Sequence, residues 1–493
     1  MNGQNWALLV PEYILIGSAF LVLGVDMVLP VSKQRWLGWF AVLGLGAAGA
    51  AALFYRFDHV ETLFGGLFIV DGFSLFFFVL LAAIGLGVAT FSIDFVKNHL
   101  AHPGEYYALL LLSVLGMIGM ASAGELLTAY VSLELLSFSL YVMVALDRRN
   151  PRSNEAGVKY ILLGALSSAI LLYGISMVWG AVGETQYASI ASVLSSGSEA
   201  DPTLVAGLAL ILAGLGFKIA AVPFHMWAPD VYEGAPTPVT AYLAIGSKAA
   251  AFALVLRLFG QGLLPVFEDW RIVLAVMAAG TMVLGNLGAI VQRNIKRLLA
   301  YASIGQVGYL LLGVAALAYL KDGVPTPSLL ASNGVMLHLV GYAIANLAVF
   351  TVVGTVYSHL GTDEPAAYAG LAKRSPYLAL VMASALFSLA GLPFFVGFVT
   401  KFYLFTAAAQ SGLLWLAGLA IASSVVSLYY YLVIVRRMYV EDSEDMDMVP
   451  FAISIPRVSW VLLGILWLGT ILLGIYPGPL LDGINAASAA LLA

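Results

Sequence analysis

Gly216-Phe217-Lys218-Ile219-Ala220-Ala221-Val222-Pro223-Phe224-His225 sets a lysine five residues before a proline, at the end of an apolar run that starts near residue 203. Read with a window of about 20 residues, that run is long enough to cross a bilayer. A charge near the middle of a spanning helix costs about 2.5–3.5 kcal/mol on insertion scales. Proline removes a helical hydrogen bond and clashes with the preceding turn. The stretch therefore predicts a membrane helix broken beside a buried cation.

A second stretch repeats the theme. Gly391-Leu392-Pro393 interrupts the run 376–411, and Lys401 follows the proline by eight residues. The whole chain supports a membrane reading: 61% of residues are hydrophobic and 10% charged, with mean hydropathy +0.97, against roughly 25% charged in soluble domains. Apolar runs fall near 7–30, 36–56, 70–95, 106–122, 123–147, 156–182 and 203–222. Seven more lie near 237–260, 271–292, 298–320, 332–358, 376–411, 413–438 and 457–476. The expected fold class is all-α integral membrane with about fourteen spans, spans seven and twelve being discontinuous.

Interruptions five spans apart, in matching positions of two halves, point to an ion site at an inverted-repeat interface. Lipid cannot satisfy the backbone groups a break frees, so the breaks should line a polar or hydrated cavity. The plain alternative is that Pro223 and Pro393 are packing kinks.

Orientation follows from the basic residues. Fifteen of the 22 fall on one side, from Lys33 and Arg35 through Arg148, Arg149, Arg152, Lys159, Arg293, Lys296 and Arg297 to Arg436, Arg437 and Arg457. Only Arg56, Arg257, Arg271 and Lys321 fall on the other. Both termini should then face away from the cytoplasm. The start lacks the basic residues of a cleavable signal. The acidic run Glu441 to Asp447 reads as a solvated loop. With no cysteine, the chain has no disulfide, thiolate-bound cluster or Cys-ligated zinc, so any redox centre is expected elsewhere.

Three lysines and one glutamate are left inside spans: Glu134, Lys218, Lys248 and Lys401. Together they would cost roughly 10–14 kcal/mol to insert, which a scaffold does not require and a proton or ion path does. Glu134 lies about 16 Å into span five at 1.5 Å per residue, close to mid-bilayer, and no cation lies near it in sequence. A buried carboxylate needs a partner, and Lys218 is the expected one; a permanent ion pair that only locks the bundle is the alternative. Lys248 is about twelve residues into span eight, too deep for easy snorkelling. His225 and His338 are candidates for proton transfer near neutrality, or else hydrogen-bonded packing residues. Glu125 reads as an interfacial carboxylate.

The strings Glu125 to Tyr130 with Glu134, Phe217-Lys218 with Pro223-Phe224-His225-Met226-Trp227-Ala228-Pro229-Asp230-Val231-Tyr232-Glu233-Gly234-Ala235-Pro236, and Gly391-Leu392-Pro393 with Gly397-Phe398 and Lys401-Phe402 resemble the antiporter-type, proton-translocating membrane subunits of respiratory complex I. The resemblance runs over nearly the whole chain. Length and Lys401 favour the branch that includes mitochondrial subunit 2. It implies fourteen helices with two inverted five-helix repeats, spans 4–8 and 9–13. The segments expected are 1–105 (three helices), 106–260 (first repeat), 271–440 (second repeat) and 441–493 (acidic loop and last helix).

By motif, Glu134 and Lys218 match the family's coupling pair, Lys248 its central relay lysine and Lys401 its exit-side lysine; His225 and His338 match more loosely. The implied partners are neighbouring membrane subunits, other antiporter-like ones among them, and lipid, with no nucleic acid. No cofactor is expected in this chain; NADH, FMN, Fe–S clusters and quinone belong to the parent complex. A sodium/proton antiporter subunit and a structural anchor of a redox complex are the alternatives.

Overall fold

The computed structural model describes residues 5–196, 201–321, 324–441 and 453–492. The first six spans are α1 (Val10–Asp26), α2 (Arg35–Arg56), α3 (Gly72–His99), α4 (Pro103–Ser122), α5 (Leu126–Val144) and α6 (Pro151–Val182). After a short α7 (Tyr187–Ser195), span seven is built from α8 (Pro202–Ile219) and α9 (Trp227–Gly234), and span eight is α10 (Thr237–Arg257). Spans nine to eleven are α11 (Phe267–Ile290), α12 (Ile295–Ala315) and α13 (Leu329–Leu360). A one-turn α14 (Leu371–Arg374) precedes span twelve, which is α15 (Pro376–Ala390) plus α16 (Val396–Gln410); α17 (Leu414–Tyr439) and α18 (Arg457–Ile475) complete the bundle.

Thirteen helices are long and apolar enough to cross a membrane among the described residues. Span twelve is the fourteenth: each half has 15 residues, about 22 Å at 1.5 Å per residue, too short alone for a ~30 Å hydrocarbon core. The protein is thus a multi-pass, nearly all-helical membrane protein. The acidic run expected as a loop lies, beyond Glu441, outside the described residues.

The centre of the bundle is α10, all 21 residues of which are buried, packed on α12 and α13. α3 begins at a capping box, in which the Asp71 carboxylate accepts from Ser74 N at 2.7 Å and Ser74 Oγ accepts from Asp71 N at 2.9 Å. Such a box satisfies backbone donors that the first turn leaves free.

Both expected helix breaks are present and built alike. α8 ends on Ala220 (φ 58°) and α15 on Gly391 (φ 86°), each in the left-handed region. Ala221 N donates back to Gly216 O at 2.8 Å, and Leu392 N to Phe387 O at 3.0 Å. These are the closing bonds of a left-handed helix cap.

Groups freed at the first break meet polar partners: Val222 N donates to Thr281 Oγ1 (2.9 Å), and Phe217 O accepts from Trp227 Nε1 (2.8 Å). Met226 and Phe394, at the two breaks, are 78% and 77% exposed on the outside of the isolated chain.

Three features were not expected. Two small hairpins, β1 (Glu61–Leu63) with β2 (Phe68–Val70) and β3 (Ala318–Lys321) with β4 (Val324–Pro327), close connections at the end of the bundle opposite the arginine-rich loops. A further helix, α19 (Gly478–Leu492), follows span fourteen and packs on α3 and α13. Finally, Arg56, Arg257 and Lys296, read as loop residues, are buried. Arg56 Nη2 donates to both Glu12 oxygens at 2.6 Å. Arg257 grips Asp71 through two bonds of 3.0 and 2.9 Å, and Lys296 lies 3.2 Å from Asp363. Burying a charge is costly unless it is paired or hydrogen-bonded, and these partners are remote in sequence.

Candidate functional site

The intramembrane lysines each meet hydroxyls and an aromatic face. Lys218, near the end of α8, donates to Ser137 Oγ (2.9 Å) and Tyr141 OH (3.2 Å) on α5 and to Ser168 Oγ (3.0 Å) on α6. Glu134, also on α5, accepts from Ser168 Oγ at 2.5 Å. The structure does bring Glu134 and Lys218 together, but at 3.7 Å, beyond hydrogen-bond reach. Ser168 Oγ touches both from one side.

Lys248, 1% exposed at the middle of α10, donates to Ser303 Oγ on α12, which is itself bonded to Tyr342 OH on α13. No carboxylate pairs with Lys248 among the described residues. Lys401, 4% exposed on α16, folds back over the break. Its ammonium donates to Leu389 O (2.9 Å) and Ala390 O (3.1 Å) at the end of α15 and to Ser424 Oγ (2.8 Å) on α17. The negative end of a half-helix is a favourable seat for a cation. In span seven the neutral Trp227 indole donates to Phe217 O, near the end of α8.

His338 on α13 joins the Lys401 group. Its Nδ1 faces Thr400 Oγ1 at 2.9 Å and its Nε2 faces Gln306 Oε1 at 3.2 Å, while Gln306 Nε2 donates to the same Leu389 O that Lys401 holds. His225 stands apart. It sits in the span-seven break with Nδ1 buried and unpartnered among the described residues, and no hydrogen bond joins it to either nearby lysine. Glu125 caps α5 by accepting from Thr128 N (3.0 Å) and Oγ1 (2.7 Å), in keeping with its interfacial reading.

Three hydrogen-bonded segments result, centred on Lys218, Lys248 and Lys401, with aromatic rows between them. From Lys218 over the Tyr141 ring (5.7 Å) the row runs through Tyr160, Trp227 and Tyr232 to Lys248 at 5.7 Å. From Tyr342 it runs through His338 and Tyr309 to Lys401, 4.8 Å from the Tyr309 centroid. Among the described residues no hydrogen bond links one segment to the next.

Sequence reading missed Ser168, Ser303, Gln306 and the tyrosines. The one available signal was a polar residue inside a spanning run, which serine and tyrosine supply too often to discriminate.

Chemically, the site can hold and exchange protons. Among the described residues no group of three or more His, Asp or Glu side chains is placed to bind a metal ion, and the chain has no cysteine.

Residues 123–427 match the family described as "NADH:quinone oxidoreductase/Mrp antiporter, TM". NADH-quinone oxidoreductase subunit N of Desulforamulus reducens is 42% identical over 487 residues, covering 98% of both chains. A chain of respiratory complex I from Thermus thermophilus superposes with TM-score 0.80 at 31% identity, covering 97% of this chain and 100% of that one. A chain of the Mrp complex from Dietzia shares the fold, with TM-score 0.85 at 23% identity over 100% and 98% of the two chains.

Proposed function

From the premise that this chain belongs to the NADH:quinone oxidoreductase/Mrp antiporter membrane family, in its subunit N branch, we propose that it carries protons across the bacterial inner membrane. It does so as a membrane subunit of the NADH–quinone oxidoreductase complex. The observation that carries the reading is that Glu134, Lys218, Lys248 and Lys401 are all drawn inside the bundle onto hydroxyls and carbonyls rather than turned toward lipid.

Protons are taken up from the cytoplasmic side to Lys218, pass to Lys248 and leave past His338 and Lys401, with water joining the three segments. His225, in the span-seven break with Nδ1 unpartnered among the described residues, is a candidate to join the path through the same water. Residues 106–260 and 271–440 act as the two half-channels, and the first three helices, the acidic loop and the last helix flank them.

Energetics supports coupling at the Glu134–Lys218 pair. At 3.7 Å and an effective dielectric of about 20, two unit charges attract by about 4.5 kcal/mol. Moving one charge against about 150–200 mV costs about 3.5–4.6 kcal/mol. Making and breaking that one pair is on the scale of transporting one proton. The trigger comes from neighbouring membrane subunits, and NADH, FMN, Fe–S clusters and quinone act elsewhere in the complex. Lipid and those subunits cover the exposed apolar surface, and both termini face away from the cytoplasm.

The test is Lys218→Met in the whole complex, reconstituted in vesicles and driven by NADH and quinone. The variant should assemble and lose most of its proton uptake. Full pumping would make the chain an anchor, and sodium-dependent flux with no quinone-driven proton movement would assign it to sodium/proton exchange.

A further inference from the structure

We propose that Ser168 is a relay group in its own right: the hydroxyl through which a proton passes between Lys218 and Glu134. This rests on the reading that making and breaking the Glu134–Lys218 pair drives transport: a proton passed across the pair neutralises both partners and so breaks it.

The hydrogen-bond inventory singles out this serine. An ammonium has three donors and no acceptor, and those of Lys218 go to three hydroxyls: Ser137, Tyr141 and Ser168. The Ser137 proton is committed to Leu133 O at 2.8 Å. Of the three hydroxyls, only Ser168 also touches Glu134. Its 2.5 Å contact to Oε1 lies in the range of a charge-assisted O–H···O⁻ bond, roughly 2.5–2.7 Å. The serine therefore accepts from the cation and donates to the anion at once.

Its place is set by backbone packing. A Cβ on Gly214 of α8 would lie 2.6 Å from Leu171 Cβ of α6, and one on Gly174 of α6 would lie 2.8 Å from Gly207 O of α8. The neighbouring Ser167 Oγ donates to Gly214 O at 3.1 Å. Helices pressed this closely hold Ser168 in contact with both charges.

The transfer is balanced. The Ser168 O–H bond breaks as its proton moves to Glu134 Oε1, and a Lys218 N–H bond breaks as its proton moves to Ser168 Oγ. The products are a neutral amine, a neutral carboxylic acid and an unchanged hydroxyl, with no electron transferred.

The experiment compares Ser168→Ala, Ser168→Thr and Lys218→Met in the intact complex in vesicles. It measures proton uptake during NADH-driven quinone reduction, in H2O and in D2O, after assembly is checked on native gels. Positioned proton-transfer groups typically contribute 10²–10⁴-fold, so Ser168→Ala should pump at least about tenfold more slowly with a larger solvent isotope effect than wild type. Ser168→Thr, which keeps the hydroxyl, should pump within about twofold of wild type.

A Ser168→Ala complex that pumps normally while Lys218→Met does not would overturn the bridge and leave the lysine assignment standing. Slow pumping in Ser168→Ala with an unchanged isotope effect would also overturn it, since that is the signature of a merely structural contact. Normal pumping in Lys218→Met would remove the premise, and the proposal with it.

Discussion

Lys401→Met separates a proton carrier from a structural cap, because the cost of the substitution can be worked from the contacts around it. The ammonium makes three bonds, to Leu389 O, Ala390 O and Ser424 Oγ. At about 1.5–3 kcal/mol for each bond to a charged group, roughly 4.5–9 kcal/mol is lost. Against that stands the desolvation of a buried ion, several kcal/mol in proteins, which methionine does not incur. The acceptors are not orphaned: Leu389 O keeps Gln306 Nε2 at 3.1 Å, and Ala390 O keeps Ser424 Oγ at 3.0 Å. The Met side chain follows the lysine stem past Gly391, where the Lys401 Cδ lies 2.9 Å from the place a Cβ would take.

The net change should therefore be about 2 kcal/mol or less, too little to prevent assembly. Thermal denaturation of the purified complex should shift by a few degrees at most, while quinone-driven proton uptake by vesicles falls sharply. A complex that fails to assemble would show that Lys401 is chiefly a cap for α15. One that assembles and pumps as well as wild type would refute its place in the path.

Asp71→Asn keeps a side chain able to cap α3 but leaves the buried Arg257 guanidinium without its counter-ion, at a cost of about 3–5 kcal/mol. Assembled complex in membranes should drop several-fold on native gels, and Asp71→Leu with Arg257→Met together should recover most of it. Gly397→Ala would bring a Cβ within 1.7 Å of Ser388 O, so α16 can no longer seat on the end of α15. Subunit accumulation measured by immunoblot should fall strongly, whereas Gly180→Ala, on a surface with nothing within 4 Å, should accumulate normally.

Much of this architecture is legible in the chain because bilayer physics is severe. Spans read out as apolar runs, and Pro223 and Pro393 marked both breaks, since proline in a helix has few other uses. The four buried ionisable residues stood out against an apolar background for the same reason. What stayed hidden is cooperative in space. Ser168 matters only because α5, α6 and α8 converge on it. Arg257 reads as a loop cation until Asp71, 186 residues away, is folded against it. The hairpin strands have three or four residues each, too few to show an alternation. α19 has 15, too short to announce itself as a span. Ala220 takes a left-handed backbone conformation that nothing in its identity foretells, unlike Gly391 at the second break.

Lys248 offers the most direct trial of the central claim, since it sits in the middle of the bundle with a serine and an aromatic face for company and, among the described residues, no acid to make it a structural ion pair. The measurement is protons moved per quinone reduced by vesicle-reconstituted complex carrying Lys248→Met. The path described here requires that ratio to fall below the wild-type value in fully assembled enzyme. An unchanged ratio would mean that protons do not cross the membrane through this chain.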